Sequence, residues 1–430
     1  ATFGVTGPAV SAGGSNYKNF DVAVYCRVYE VRQMKDPAYL ENAWAAISQH
    51  VKIDKVYLET HRDTIVVDQE TLDKAKRFFE GKGLKVAGGI TATINESNQF
   101  ETYCYSNPEH RRRLQEVVEF TARNFNEIIL DDFFFTSCKC DLCIRAKGRR
   151  SWTRFRLEQM DEAARSLVMK PARAVNPNVK VTIKYPNWYD HFQNLGFNLE
   201  TEPKYFDKIY TGTETRDPVY SNQHLQQYHG YSIFRYFENV KPGGNAGGWV
   251  DSGGLRNLDR YGEQLWLTLF AKAPEITLFD IRQLYQPIRK EDGSMAPQSE
   301  LARLAGYVFQ RVDGLVGRLG KPIGVKTYKP YHSSGEDFLA SYLGMIGIPM
   351  DIVPKYSKGV LYVLTIPQAQ GDLYSLPADV LAAIRNVVCR DMYVRLEAPS
   401  QVSLFVYDND MFIVESFRES MGTARIVTDR

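Results

Sequence analysis

From residue 20 to about 320, apolar runs of strand length alternate with helix-length amphipathic stretches. Short apolar runs bounded by turn residues predict strands, and apolar positions spaced by three and four predict helices. On that basis strands are expected at Phe20–Val31, Lys55–Thr60, Lys85–Thr91, Glu127–Phe133, Val179–Tyr185, Lys208–Gly212, Ser232–Glu238 and Glu275–Phe279. Helices are expected at Pro37–His50, Gln69–Lys82, Pro108–Phe125, Ser151–Ala174, Leu258–Lys272 and Glu300–Leu319. Gly83 suits the C-cap of the second helix, and Pro108 opens the third. Eight strands, most followed by a helix, predict an α/β fold of the (β/α)8 TIM-barrel type over 20–320. An open doubly wound sheet would share the alternation, but the count of eight and the lack of G-x-G-x-x-G after the first strand favour the barrel.

A second α/β pattern covers 321–397, with strands I-G-V-K-T-Y, M-D-I-V, G-V-L-Y-V-L and M-Y-V-R-L and helices at Asp337–Gly347 and Pro377–Cys389. It predicts a smaller, flavodoxin-like domain. Residues 398–430 read as a β hairpin turning at Asp408–Asp410, or as the start of a small β domain. Two strands are not stable alone, so this segment must pack on something or the natural chain continues. Residues 1–19 form an N-terminal extension.

Composition narrows the field. Length 430 predicts two or three domains, and 44% hydrophobic with 24% charged residues is ordinary for a globular protein. The balance of 53 basic against 51 acidic residues argues against a nucleic acid as main partner. Arg111–Arg113 and Lys147–Arg150 read as solvated helix faces. No run approaches a membrane span, and the first residues lack the profile of a secretory signal. A periplasmic or secreted location is expected if a signal was removed, and a cytoplasmic one otherwise. Aromatics at 13% suit the stacking of sugar rings as well as a large core.

The densest chemistry lies in I-I-L-D-D-F-F-F-T-S-C-K-C-D-L-C, residues 128–143. A buried strand that ends in Asp131 and Asp132 delivers acids where barrel active sites are built. Cys138, Cys140 and Cys143 follow as C-x-C-x-x-C, and Cys104 lies in the neighbouring loop. Four thiolates make a closed tetrahedral zinc site, which would be structural. No cofactor is expected in catalysis. A metalloenzyme using these thiols directly is disfavoured, because four ligands leave no open position.

Further acids fall at predicted strand ends or just after them: Glu59, Glu214, Glu238 and Asp280. Two carboxyls flanking a bond perform glycoside hydrolysis. Asp132 on the fourth strand and Glu238 on the seventh are the expected catalytic pair, Asp132 as acid and Glu238 as nucleophile or base. Asp131, Glu59, His61, Arg62, Lys184, Tyr185, Trp188, Glu214, Trp249, Asp251, Asp280 and Arg282 are expected around a bound carbohydrate. Arg216 and Arg282 would suit an acidic sugar, or would hold the catalytic acids in place.

These residues resemble the β-galactosidases of glycoside hydrolase family 42. That family ends its fourth strand in Asn-Glu, whose Glu is the acid/base, and follows it with a zinc-binding C-x-C-x-x-C completed by an upstream Cys. Its nucleophile is a Glu in a segment like E-x-x-P-G followed by N-W, and here F-E-N-V-K-P-G-G-N-A-G-G-W places Glu238 and Trp249 in a similar arrangement. The resemblance implies a glycosidase acting on an oligosaccharide or polysaccharide, an amidotransferase-like trimerisation domain over 321–397, and a homo-oligomer, trimer or dimer. The only Cys of that domain, Cys389, sits in a predicted helix with no His after it, so the domain is expected to be non-catalytic. The sequence departs from the family at the acid/base, which is Asp132 preceded by Asp131. That departure leaves two alternatives to a retaining mechanism: an inverting enzyme using Glu214, and a catalytically degenerate carbohydrate-binding or assembly protein.

Overall fold

The computed structural model describes residues 17–187, 192–287, 292–295, 300–332, 337–355, 363, 365 and 372–428. Eight parallel strands close into a barrel: β1 (Asp21–Cys26), β2 (Lys55–Arg62), β3 (Lys85–Ile90), β4 (Glu127–Leu130), β5 (Lys180–Tyr185), β6 (Lys208–Gly212), β7 (Asn245–Asp251) and β8 (Glu275–Phe279). Each pairs with its sequence neighbours, and β1 closes the ring by pairing with both β2 and β8. The outer helices are α1 (Pro37–Ser48), α2 (Gln69–Gly81), α3 (Pro108–Asn124), α4 (Trp152–Ala163, continuing through a π turn to Val175), α5 (His229–Val240), α6 (Leu258–Phe270) and α7 (Glu300–Arg318). Asp36, Asp68, Asn107 and Ser151 cap α1 to α4 by accepting from backbone N–H groups that the first turn leaves free.

Seven of the eight strands lie where the alternation predicts them. The first is shorter than expected, because Val28–Gln33 turns helical after Cys26. The seventh is displaced. Ser232–Glu238 lies inside α5, and the seventh strand is N-A-G-G-W-V-D. The aromatic run of α5 imitates a strand because all of residues 229–237 are buried. One face of α5 meets the barrel. The other meets the C-terminal region, where Tyr228, Tyr231 and Phe270 surround Phe405 and Arg235 pairs with Asp351 at 3.3 Å. The true strand hides its character behind two glycines. A Cβ at Gly247 would strike the Tyr210 hydroxyl and the Glu275 carbonyl, and one at Gly248 would strike the Thr268 methyl.

Inside the barrel, Tyr25, Tyr57, Ile129, Tyr210 and Trp249 form an apolar middle layer. A charged layer lies on each side of it. At the N-terminal ends of the strands, Lys55 pairs with Glu127 at 2.7 Å and Glu275 at 2.6 Å. At the C-terminal ends lies a second cluster around Lys184.

The smaller C-terminal region follows the barrel. Among the described residues it forms separate two- and three-stranded sheets. β9 (Val325–Tyr328) and β10 (Met350–Val353) pair in parallel around helix α8 (Asp337–Met345). After helix α9 (Ala378–Val388), β11 (Val394–Glu397) pairs antiparallel with β14 (Arg425–Thr428), and β12 (Val402–Tyr407) with β13 (Phe412–Ser416). The predicted hairpin is therefore present, and Tyr407 ties it to α6 by donating to the Phe270 carbonyl at 3.0 Å. The strand expected at G-V-L-Y-V-L lies outside the described residues. Among the described residues no helix is long and apolar enough to cross a membrane.

Candidate active site

Side chains alternate along a strand, so every second residue of β1 to β8 points into the barrel. At the C-terminal ends this brings together Glu59 from β2, Lys184 from β5, and Asp131, Asp132 and Glu214 from the loops just beyond β4 and β6. Lys184 is the hub and is 3% exposed. Its ammonium donates to Asp132 Oδ2 at 2.7 Å and Asp131 Oδ1 at 3.3 Å, and lies 3.6 Å from Glu214 Oε1. Below it the Trp249 ring offers a π face at 4.6 Å. Arg62 is the second buried cation. It donates to Glu59 and Asp131 at 2.9 and 3.0 Å and reaches Glu96 at 3.1 Å.

The three acids around Lys184 differ in proton affinity. Burial raises the Asp132 carboxyl to about 7, Lys184 opposes the rise, and the charges of Asp131 and Glu214 reinforce it. Burial raises Glu214 too, Lys184 opposing and Asp251 reinforcing. Asp131 goes the other way: burial alone would raise it, but Lys184 and Arg62 together hold it below its usual range. Asp132 and Glu214 are therefore both raised by burial, beside an Asp131 that two cations hold low. Among the described residues Glu214 Oε2 is buried without a hydrogen-bond partner in an otherwise crowded mouth.

The remaining expected residues separate into three groups. Some support the acids. Glu59 accepts from the Tyr25 hydroxyl and the Val28 N–H, both at 2.7 Å, as well as from Arg62 and Thr91. Asp251 is held by a two-pronged Arg216 at 2.9 and 2.7 Å. Asp280 is fully buried, caps the short helix Ile281–Tyr285 and pairs with Arg27 at 2.9 Å. Arg282, 3.9 Å from Asp280 and 43% exposed, lies at the rim.

Others point away. His61 is buried between the Thr91 carbonyl at 2.7 Å and the Tyr103 hydroxyl at 2.8 Å, with its pKa lowered by burial. Tyr185 faces outward, stacked on Phe237 at 5.1 Å and donating to the buried Glu202 at 3.0 Å. Neither is placed to touch a substrate. Trp188 lies outside the described residues.

Glu238 is the principal correction. It sits near the C-terminal end of α5, and the following turn leads into the first residue of β7. In a barrel that is the face opposite the strand C-termini. Its carboxylate accepts from the Gly243 N–H at 2.8 Å as part of that turn. The strand-like reading of Ser232–Glu238 carried Glu238 to the wrong end of the molecule. The carboxylate that meets Asp132 is Glu214, through the Lys184 bridge. Tyr25, Arg27 and Thr91 were not foreseen. Only Tyr25 left a signal, by alternating with Ala23 along an inward-facing strand edge.

Beside the mouth the four cysteines converge. Cys104 comes from the loop after β3, Cys138 and Cys140 from the loop after β4, and Cys143 from the helix Asp141–Lys147. Their sulfurs all lie within 4.8 Å of one another, with Cys104 at 3.6 Å from Cys140 and 3.5 Å from Cys143. Thiolates around a tetrahedral zinc at about 2.3 Å stand roughly 3.8 Å apart, so the donor set fits such an ion.

A barrel whose acids gather at the C-terminal ends of the strands is the architecture of many glycoside hydrolases. The family model for the catalytic domain of a probable glycosyl hydrolase matches residues 10–317, and the model for the C-terminal domain of the same proteins matches 393–430. The chain belongs to this probable glycosyl hydrolase family. It is 26% identical over 400 residues to an uncharacterized protein of Saccharolobus solfataricus, covering 84% of this chain and 64% of that longer protein. Among solved structures, a GH5_18 protein of Bifidobacterium longum superposes with TM-score 0.51 at 11% identity, over 78% of this chain and 92% of the other. A Streptomyces cattleya GH5_18 variant in complex with Manb1-4GlcNAc also gives 0.51, at 10% identity over 78% and 94%. These similarities support a glycosyl hydrolase barrel. They do not single out family 42, whose strand-seven Glu this structure lacks at Glu238.

Proposed function

We propose that the protein hydrolyses glycosidic bonds with Asp132 and Glu214 as its carboxyl pair. The observation that carries this reading is the bridge: one ammonium, Lys184, touches both acids at the mouth of the barrel. Their nearest oxygens cannot be farther apart than 2.7 and 3.6 Å laid end to end. We take the retaining course, in which the two carboxyls stand about 5–5.5 Å apart and one of them is the nucleophile. Asp132, held near neutrality, donates its proton to the leaving oxygen while a Glu214 carboxylate attacks the anomeric carbon. Asp132 then takes a proton from the water that cleaves the glycosyl ester. Asp131, kept ionised by Lys184 and Arg62, stabilises the positive charge that develops on the sugar.

The test is a panel of 4-nitrophenyl glycosides, followed by proton NMR of the anomer first released. Turnover that survives both Asp132→Asn and Glu214→Gln would end this reading. Lys184 fills the gap between the acids, which is also what a carbohydrate-binding protein on the same scaffold would show. Saturable glycan binding with no cleavage by any member of the panel would favour that alternative.

Cys104, Cys138, Cys140 and Cys143 would hold a structural zinc. It would tie the loop after β3 to the loop after β4 and so brace the segment that carries Asp132. With four thiolate ligands it would have no open position and would take no part in the hydrolytic steps.

A further inference from the structure

Two exposed aromatic rings stand in strand C-terminal loops on either side of β5. On one side is Phe100, in the loop after β3. It is 49% exposed and stacked at 5.3 Å and 27° on Phe133, the residue after Asp132. Phe133 in turn lies 5.6 Å from the Arg62 guanidinium, which also binds Asp131 and Glu96. The Phe100 platform is thus joined to the catalytic cluster through one cation. Gln99 and Phe100 both adopt left-handed backbone, with φ of 50° and 57°, a conformation unfavourable for side chains of this size. Water would be a poor reason to hold a phenylalanine outward at such a cost.

On the other side is Tyr220, in the loop after β6. It is 46% exposed and covered on one face by the Arg256 guanidinium at 3.7 Å, from the loop after β7. Asp217 fixes this loop by accepting from the Val219 and Tyr220 N–H groups at 2.8 and 2.9 Å. Arg216, in the same loop, is locked to Asp251. Strands β3 and β4 carry one platform and β6 and β7 the other, so Lys184 on β5 and its acids lie between them.

We propose that Phe100 and Tyr220 are sugar-stacking subsites at the two ends of a cleft that crosses the acid pair, so that the preferred ligand is an oligosaccharide spanning both rather than a single terminal sugar. Pyranose rings present C–H faces that pack on aromatic faces, and the Arg256 guanidinium beside Tyr220 supplies a hydroxyl partner. The proposal rests on the glycosidase reading for its location but not for its test, which measures binding.

The test is equilibrium binding of fluorescently labelled cellohexaose, mannohexaose, xylohexaose and chitohexaose, and of the matching monosaccharides, to the full chain. At least one hexasaccharide should bind far more tightly than its monosaccharide. Phe100→Ala and Tyr220→Ala should each weaken that binding by about 2- to 13-fold, and Phe100→Tyr should restore it. Failure of the wild-type chain to bind any of the four, or unchanged binding by both alanine variants, would overturn the proposal. Binding as expected without cleavage of any glycoside would leave the cleft standing and remove the hydrolase reading, so the two fail separately.

Discussion

The barrel contains two buried lysines, each facing several acids, one at either end. Lys55 at the N-terminal end meets Glu127 and Glu275, and Glu275 also accepts from the Tyr57 and Tyr210 hydroxyls at 2.9 and 3.1 Å. Lys184 at the C-terminal end meets Asp131, Asp132 and Glu214, and Glu214 keeps an oxygen with no partner among the described residues. The ingredients match, but the degree of completion differs. Below, tyrosines satisfy the acid and the cluster plugs the barrel. Above, three acids share one ammonium: burial raises Asp132 and Glu214, Asp131 is held low, and one Glu214 oxygen has no partner among the described residues. A closed polar network stabilises, and an incomplete one at the strand C-termini is equipped for chemistry.

Substitutions can break that contrast. The largest effect should come from the upper acids: Asp132→Asn or Glu214→Gln should lower kcat by about 10²–10⁴-fold or more with little change in Tm, read by aryl-glycoside kinetics beside thermal melts. Lys55→Met should do the reverse. It leaves buried carboxylates uncompensated, costs about 3–5 kcal/mol of stability and lowers Tm, while the surviving folded fraction keeps its kcat per site. A fall in kcat as large as that of the Asp132 variant would show that the two clusters are not separate in role.

Proton affinity sharpens the comparison next. Asp132 must carry its proton to act as acid, so kcat/KM should decline as pH rises through about 7. A flat profile from pH 6 to 9 would remove Asp132 from the acid role. A smaller effect is expected outside the barrel interior. Glu415 accepts from the Trp266 indole at 2.7 Å, and burial raises it to about 7. Burial raises nearby Glu263 on α6 to about 8. Both are raised above their unfolded values, so the stability they contribute is present at low pH and lost as pH rises toward 8. Glu415→Gln should therefore raise Tm at pH 8.5 by about 2–4 °C and change it less at pH 5. The smallest effect belongs to Glu238→Gln, which should alter kcat less than about two-fold because its carboxylate serves a turn at the opposite face.

Much of this molecule was legible along the chain. The alternation of strand and helix lengths marks the barrel because a strand buried on both faces must be apolar, and seven strands fell where that rule places them. Asp131, Asp132, Lys184 and Glu214 could be picked out because strand ends are where barrels put polar groups. The cysteines could be picked out because thiols at that spacing share a turn. The seventh strand could not. A helix buried on both sides and a strand packed through glycines each wear the other's pattern, since local periodicity records burial and not backbone geometry.

Residue order alone thus determined the class of fold, the acids beyond strand four and the thiol cluster, because each follows from local spacing and burial. Only the folded chain decided which acid stands opposite Asp132, because that choice depends on where Lys184 sits between strands. The same holds for the outward turn of Tyr185 and the enclosure of His61, which are set by neighbours distant in sequence.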